Sequence, residues 1–345
     1  MKLRLVMLAL LAAPLAVGCG SSADPGDDMP PGDDVPPDPT VLARCADPAK
    51  PITSAWEVDN IRAPLVAQTQ LGSTILVTSG DGAVKTWDLP AAGGAPNAPH
   101  YGTPFVDEGV IVPALAAAPP GPVPAFVGLD AAGFAYLWGV DGSTLHDPIA
   151  LVSSMGTFVA VDADLRWIAG GTDEFGGAMG VADLGTGELE GPLATEMWNV
   201  TDAEIGHGGK LVTVGHWYGC PAIELRDASD PTVVTAYWDG CRGDAAMLQG
   251  WLRAVALDPT ATEAIAVGDG LFLRFDLANL AAGPTQVVQN DQRYDEVIWS
   301  AADELALTLG PAGETESTIS VWSTVDHQVT RTTTVPAAIG LTVDA

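Results

Sequence analysis

The feature that most restricts this chain is one phrase written six times. A short apolar strand leads into a turn of Gly and Asp, and a second strand then ends at or near Trp-Asp. The clearest copy runs from Ile75 to Asp88, ILVTSGDGAVKTWD. The others are Ala125 to Trp138, Trp167 to Asp173 leading into Val181–Asp183, Leu211 to Asp227, Ala264 to Asp276, and Leu305 to Trp322. The position of Trp87 recurs at Trp138, Ala182, Arg226, Phe275 and Trp322, at spacings of 51, 44, 44, 49 and 47 residues. Strands of this kind cannot bury their apolar faces alone, so successive copies must stack on one another. The expected roles of the phrase are structural. Asp81, Asp130, Asp173 and Asp269 are read as turn residues, and Trp87, Trp138 and Trp322 as packing between copies.

A period in the forties with about four strands per copy is the mark of a β-propeller blade. The copy at 75–88 resembles a WD40 repeat, because Asp81 of Ser79-Gly80-Asp81 stands six residues ahead of Trp87-Asp88. The Gly-His pair that usually opens a WD40 blade is missing, so the chain resembles the wider group of WD40-like and YVTN-like propellers, over roughly residues 52–345. The expected fold is an all-β propeller of seven blades with one blade incomplete or split; six blades is the alternative. The seventh would pair residues 52–58 with the strand-like Ala338–Asp344, closing the ring without an exposed edge.

Ahead of the repeats the chain carries an address. Lys2 and Arg4 precede an apolar run from Leu5 to Val17, shorter than the roughly 20 residues needed to span a bilayer but matched to a secretory signal. Leu15-Ala16-Val17-Gly18-Cys19 resembles the lipobox of bacterial lipoproteins, which implies cleavage after residue 18 and lipidation of Cys19. More than one acyl chain makes such an anchor stable. Gly20, by analogy with enteric sorting, points to the outer membrane. Residues 20–40 are Gly, Ser, Asp and Pro with little apolar surface to bury, and read as a disordered spacer. The expected organisation is a signal at 1–18, lipidated Cys and tether at 19–40, and a propeller at 41–345.

Charge narrows the partners. Removing Lys2, Arg4 and the six Asp of the tether from the 14 basic and 44 acidic residues leaves 12 against 38, a net of −26 for the domain. Phosphate recognition needs a basic surface, so nucleic acid is a poor partner. Once Cys19 is lipidated, Cys45, Cys220 and Cys241 remain, and export permits a disulfide. In a propeller the turn between second and third strands shares a face with the link to the next blade. Cys220 follows Leu211–His216 in the first kind of loop, and Cys241 follows Val233–Trp238 in the second. The resemblance therefore implies a Cys220–Cys241 bond, with Cys45 left over.

Around that bond the phrase is least regular. Trp217, Tyr218, Trp238 and Trp251, with His216, Tyr237, Arg242 and Arg253 nearby, form a candidate aromatic patch for a sugar, peptide or protein surface; packing around the disulfide is the competing reading. Asp107, Glu108, Asp173, Glu174, Asp202, Asp239 and Asp244 are expected to make the same face acidic. Catalytic signals are weak. The five His are scattered without metal-ligand spacing, no Gly-x-Ser-x-Gly occurs, and no cofactor motif is read. The expected function is a membrane-anchored, non-catalytic propeller binding a protein or glycan at the cell envelope. The alternative is a propeller hydrolase or lactonase with a metal at the central channel.

Overall fold

The computed structural model describes residues 5–6, 55–56, 65–71, 75–80, 83–88, 110–118, 125–139, 143–153, 156–173, 178–242, 247–300, 305–312, 316–323 and 328–336. Cys19, Cys45, the tether and residues 338–344 lie outside them. A two-residue bridge pairs β1 (Leu5–Val6) with β2 (Ala55–Trp56), so this part of the expected closing strand is paired with residues near the start of the chain. Among the described residues no helix is long and apolar enough to cross a membrane.

Six antiparallel sheets follow in chain order. Sheet 1 is β3 (Leu65–Leu71), β4 (Ile75–Gly80) and β5 (Ala83–Asp88). Sheet 2 is β6 (Ala114–Ala117), β7 (Ala125–Leu129), β8 (Phe134–Gly139) and β9 (Thr144–Ala150). Sheet 3 is β10 (Phe158–Val161), β11 (Trp167–Gly171), β12 (Met179–Asp183) and β13 (Leu189–Leu193). Sheet 4 is β14 (Asn199–Gly206), β15 (Lys210–Trp217), β16 (Cys220–Asp227) and β17 (Asp230–Asp239). Sheet 5 is β18 (Leu252–Leu257), β19 (Glu263–Asp276) and β20 (Gln286–Arg293). Sheet 6 is β21 (Glu296–Ser300), β22 (Leu305–Pro311), β23 (Glu316–Ser323) and β24 (Val329–Pro336). Within every sheet the strands pair in sequence order.

β19 folds back on itself. The Leu277 N–H donates to the Thr262 carbonyl at 2.9 Å, and Arg274 forms an ion pair with Glu263. Both contacts place the fold-back at Asp269-Gly270, where Gly270 has φ +71. A Cβ there would stand 2.4 Å from the Asn290 carbonyl oxygen, so the tight turn requires Gly. Sheet 5 thus holds the same succession of strands as the four-stranded sheets.

The repeat position falls at one structural place. Trp87 pairs with Leu76, Trp138 with Phe126, Ala182 with Ile168, Arg226 with Leu211 and Trp322 with Ala306, each on the strand after the Gly/Asp turn. Trp138, Phe275 and Trp322 are fully buried. Their burial follows from stacking: the first strand of each sheet packs on the first strand of the next, from β3 through β6, β10, β14 and β18 to β21. Apolar side chains fill each gap. Val127 and Leu137 meet Val159 and Ile168; Phe158 and Val181 meet Val200 and Leu211; Val212 and Val214 meet Leu252 and Leu273; Val267 and Phe272 meet Val297 and Trp322. Because both faces of the middle sheets are covered, their strands read as continuous apolar runs. Each such side chain contributes about 1.5–3 kcal/mol relative to exposure.

Much of the acid excess has a local use. Asp130 accepts the N–H groups of Ala132 and Phe134 at 2.8 Å each. Asp162 accepts from Arg166 and Trp167, Asp183 from Gly185 and Thr186, and Asp258 from Thr260, Thr262 and Glu263. A short carboxylate can satisfy turn amides that the sheet ladder leaves free, which is why Asp recurs at hairpin ends.

Candidate aromatic site on the loop face

The turns between second and third strands lie at the same end of the sheets as the links between sheets. In sheet 2 the Leu151 N–H donates to the Gly133 carbonyl at 3.0 Å, joining a link to a turn. This end is the loop face. In sheet 4 its turn is Tyr218-Gly219, with Trp217 paired to Cys220. Both turn residues have positive φ, +47 and +83, the combination that a two-residue hairpin of this twist requires. Gly accepts it freely, whereas an aromatic residue there is strained.

Cys220 begins β16, and Cys241 lies just beyond the end of β17, where Ala222 pairs with Asp239. The two are disulfide-bonded with Cα atoms 5.7 Å apart, as the sequence implied. Residues 247–250 lie on the same face. The Leu248 N–H donates to the Gly240 carbonyl at 3.1 Å, and that of Gly250 to the Gly219 carbonyl at 3.0 Å.

Trp251, the next residue, stands beside His216. Their rings stack at 4.2 Å with planes 11° apart. On the other side of the turn, Tyr218 contacts Trp198 at 4.2 Å and Trp217 at 4.7 Å, both edge to face. Tyr218 is 65% exposed and Trp251 40%, whereas Trp217 is half-buried against the core between sheets 3 and 4. Trp238 is placed elsewhere: it packs on Phe275 at 5.3 Å and joins the core between sheets 4 and 5. The structure therefore gathers Trp217, Tyr218 and Trp251 on the loop face, adds Trp198, and draws Trp238 into packing. Trp198 has no sequence cue, since only the pairing of β14 with β15 brings it to the turn.

Polar groups among these rings are unusual. His216 is 7% exposed, and neither Nδ1 nor Nε2 has a hydrogen-bond partner. Desolvation lowers its pKa below the ordinary histidine value, so the ring is neutral at pH 7. Its partner across the strand pair is Asn199, whose Nδ2 donates to the Asp173 carbonyl at 2.5 Å while its Oδ1 is buried without a partner. Beside Trp251, Arg253 is held by Asp269, with Nε 2.7 Å from Oδ1 and Nη2 3.3 Å from Oδ2.

Two of the carboxylates expected on the acidic rim have other work. Asp239 is buried and accepts the N–H groups of Cys241 and Arg242. Asp202, on β14, accepts the Val255 N–H of β18 at 2.9 Å, and Glu204 accepts that of Leu257 at 2.6 Å. Thr201 donates to the Leu252 carbonyl at 2.7 Å. Side chains of one first strand thus occupy backbone groups on the free edge of the next. Burial raises Asp202 to about 7 and Glu204 to about 8, the latter helped by the charges of Asp202 and Asp258. Asp107, Glu108, Glu174 and Asp244 lie outside the described residues.

Chemistry elsewhere is sparse. Among the described residues no group of three or more His, Cys, Asp or Glu is placed to hold a metal ion. A depression of about 510 Å³ is lined by Thr262, Glu263, Arg274, Asp276 and Thr285, and its Arg and Glu neutralise each other. The chain matches no protein-family model and no curated protein.

Proposed function

We propose that the protein is an exported lipoprotein, anchored through Cys19, whose domain is a β-propeller that binds a protein or glycan at the cell envelope without catalysis. The six sheets are its blades, with a further incomplete blade drawn from the ends of the domain. The observation that carries the binding role is the aromatic surface at the loop face, with Tyr218 against Trp198 and Trp217 on one side of the turn and Trp251 on the buried, unpartnered His216 on the other. Exposed aromatics beside a few converging polar groups are the usual composition of a ligand site. Sequential stacking through first strands supports the propeller, because that is how blades surround a central axis. The stretch from Lys2 to Cys19 supports the anchor.

Two measurements on the full chain in a bacterial host test this reading. Radiolabelled palmitate should enter the wild-type protein and be absent from Cys19→Ser; equal labelling of both removes the anchor. A photo-crosslinking residue at position 218 should trap an envelope component, while one at Val233, which is 54% exposed on β17, should not. Equal trapping at both positions, or none, removes the loop-face binding role.

A further inference from the structure

Asn199 Oδ1, His216 Nδ1 and His216 Nε2 are three buried polar atoms without partners on two residues paired across β14 and β15. An unsatisfied buried group has given up its water without gaining a partner, so folded proteins seldom keep several together without use. Trp251, itself partly exposed to solvent, stacks on the His216 ring, while Tyr218 and Trp198 lie on the other side of the turn.

We propose that Asn199 and His216, with Trp251 beside them, form the hydrogen-bonding floor of a site for a neutral saccharide ring. The inference rests on the loop-face binding role and names its ligand class. The amide oxygen of Asn199 only accepts, and a neutral imidazole offers one donor and one acceptor. A ligand that satisfies all three atoms must bring at least two donors and one acceptor within a few ångströms. Neighbouring hydroxyls on a sugar ring do so, because each hydroxyl both donates and accepts. The apolar C–H face of such a ring matches an aromatic surface, as Trp251 provides. A charged ligand fits less well. The imidazole carries no charge to pair with an anion, and Arg253 is already engaged by Asp269. Binding requires Trp251 to shift from its stack on His216, and Gly250 before it has φ +126, a conformation that glycine alone adopts with ease.

The test uses the full-length protein in detergent and three neutral probes: the tetrasaccharides of β-1,4-linked N-acetylglucosamine, β-1,4-linked glucose and α-1,4-linked glucose. Tryptophan fluorescence is titrated and affinity measured by calorimetry. At least one probe should change the fluorescence and bind. His216→Phe keeps a ring against Trp251 but removes both nitrogens. It should weaken binding roughly tenfold or more, the loss expected of one or two hydrogen bonds, with no fall in thermal stability. Trp251→Ala, which removes the ring stacked on His216, should weaken binding as well. No response to any probe overturns the inference, as does unchanged affinity in both variants. If position 218 traps an envelope protein while no probe binds, the binding role stands and the saccharide site falls. If neither occurs, both fall.

Discussion

The guanidinium Nε of Arg226 lies 2.6 Å from Glu224 Oε1, with both side chains almost wholly buried. Arg226 occupies the repeat position that holds Trp in sheets 1, 2 and 6. Its remaining donors reach the carbonyls of Pro231 and Ala194, and Glu224 Oε2 accepts the Glu196 N–H at 2.9 Å. The pair therefore ties the outer hairpin of sheet 4 to the link from sheet 3, at a position where sheets 1, 2, 5 and 6 carry an aromatic ring.

Removing one partner of so enclosed a pair strands the other charge. Arg226→Met should cost about 3–5 kcal/mol in urea unfolding, the range for breaking a buried ion pair. Glu224→Gln keeps an acceptor for Glu196 and should cost less. Equal and small losses in both variants would mean that water reaches the pair.

The seam between sheets 4 and 5 makes stability depend on pH. Asp202 and Glu204 hold their protons to about pH 7 and 8 in the folded protein, chiefly through burial, but release them near pH 4 when unfolded. Unfolding between those limits releases protons, so their stabilising contribution is complete below about pH 4 and falls as pH rises towards 8. The melting temperature should therefore drop between pH 5 and 9. Asp202→Asn with Glu204→Gln, which leaves acceptors for Val255 and Leu257, should flatten that slope; an unchanged slope would place its origin elsewhere.

The repeat positions were legible because a strand exposes every second residue to one face and a tight turn leaves a Gly or Asp in the sequence. Trp138 and Trp322 could be placed in the core from spacing and alternation, and Cys220 beside Cys241 from the resemblance to a propeller. Contacts set by pairing between distant strands left no such mark. Trp198 reaches Tyr218 only through the register of β14 on β15, and Trp238, close to Trp251 in sequence, is turned onto Phe275 by the hairpin of sheet 5. Asp202 and Glu204 resemble solvated strand acids until the free edge of β18 is set against them.

The disulfide sits at the loop face and closes a loop of 21 residues that consists of β16, β17 and their turn. A cross-link of that span stabilises by about 3 kcal/mol, mainly by restricting the unfolded chain. Cys220→Ser with Cys241→Ser should lower stability by about that much. It should also speed proteolytic cleavage at residues 247–250, where Leu248 and Gly250 donate to the carbonyls of Gly240 and Gly219. Cleavage at the wild-type rate would show that the bonds at Gly240 and Gly219 hold the segment unaided.

Gly270 offers the sharpest test of sheet 5. Its φ of +71 and the 2.4 Å approach that a Cβ would make to the Asn290 carbonyl leave no room for a side chain. Gly270→Ala must strain the turn or push β20 aside, at a cost of about 1–3 kcal/mol. The neighbouring residue is Asp269, which positions Arg253 beside Trp251, so the same substitution should alter tryptophan fluorescence from the loop face. Loss of stability with an unchanged spectrum would show that the turn supports the sheet but does not set the Arg253 contact. A neutral effect on both would mean that β19 does not fold back at Asp269-Gly270.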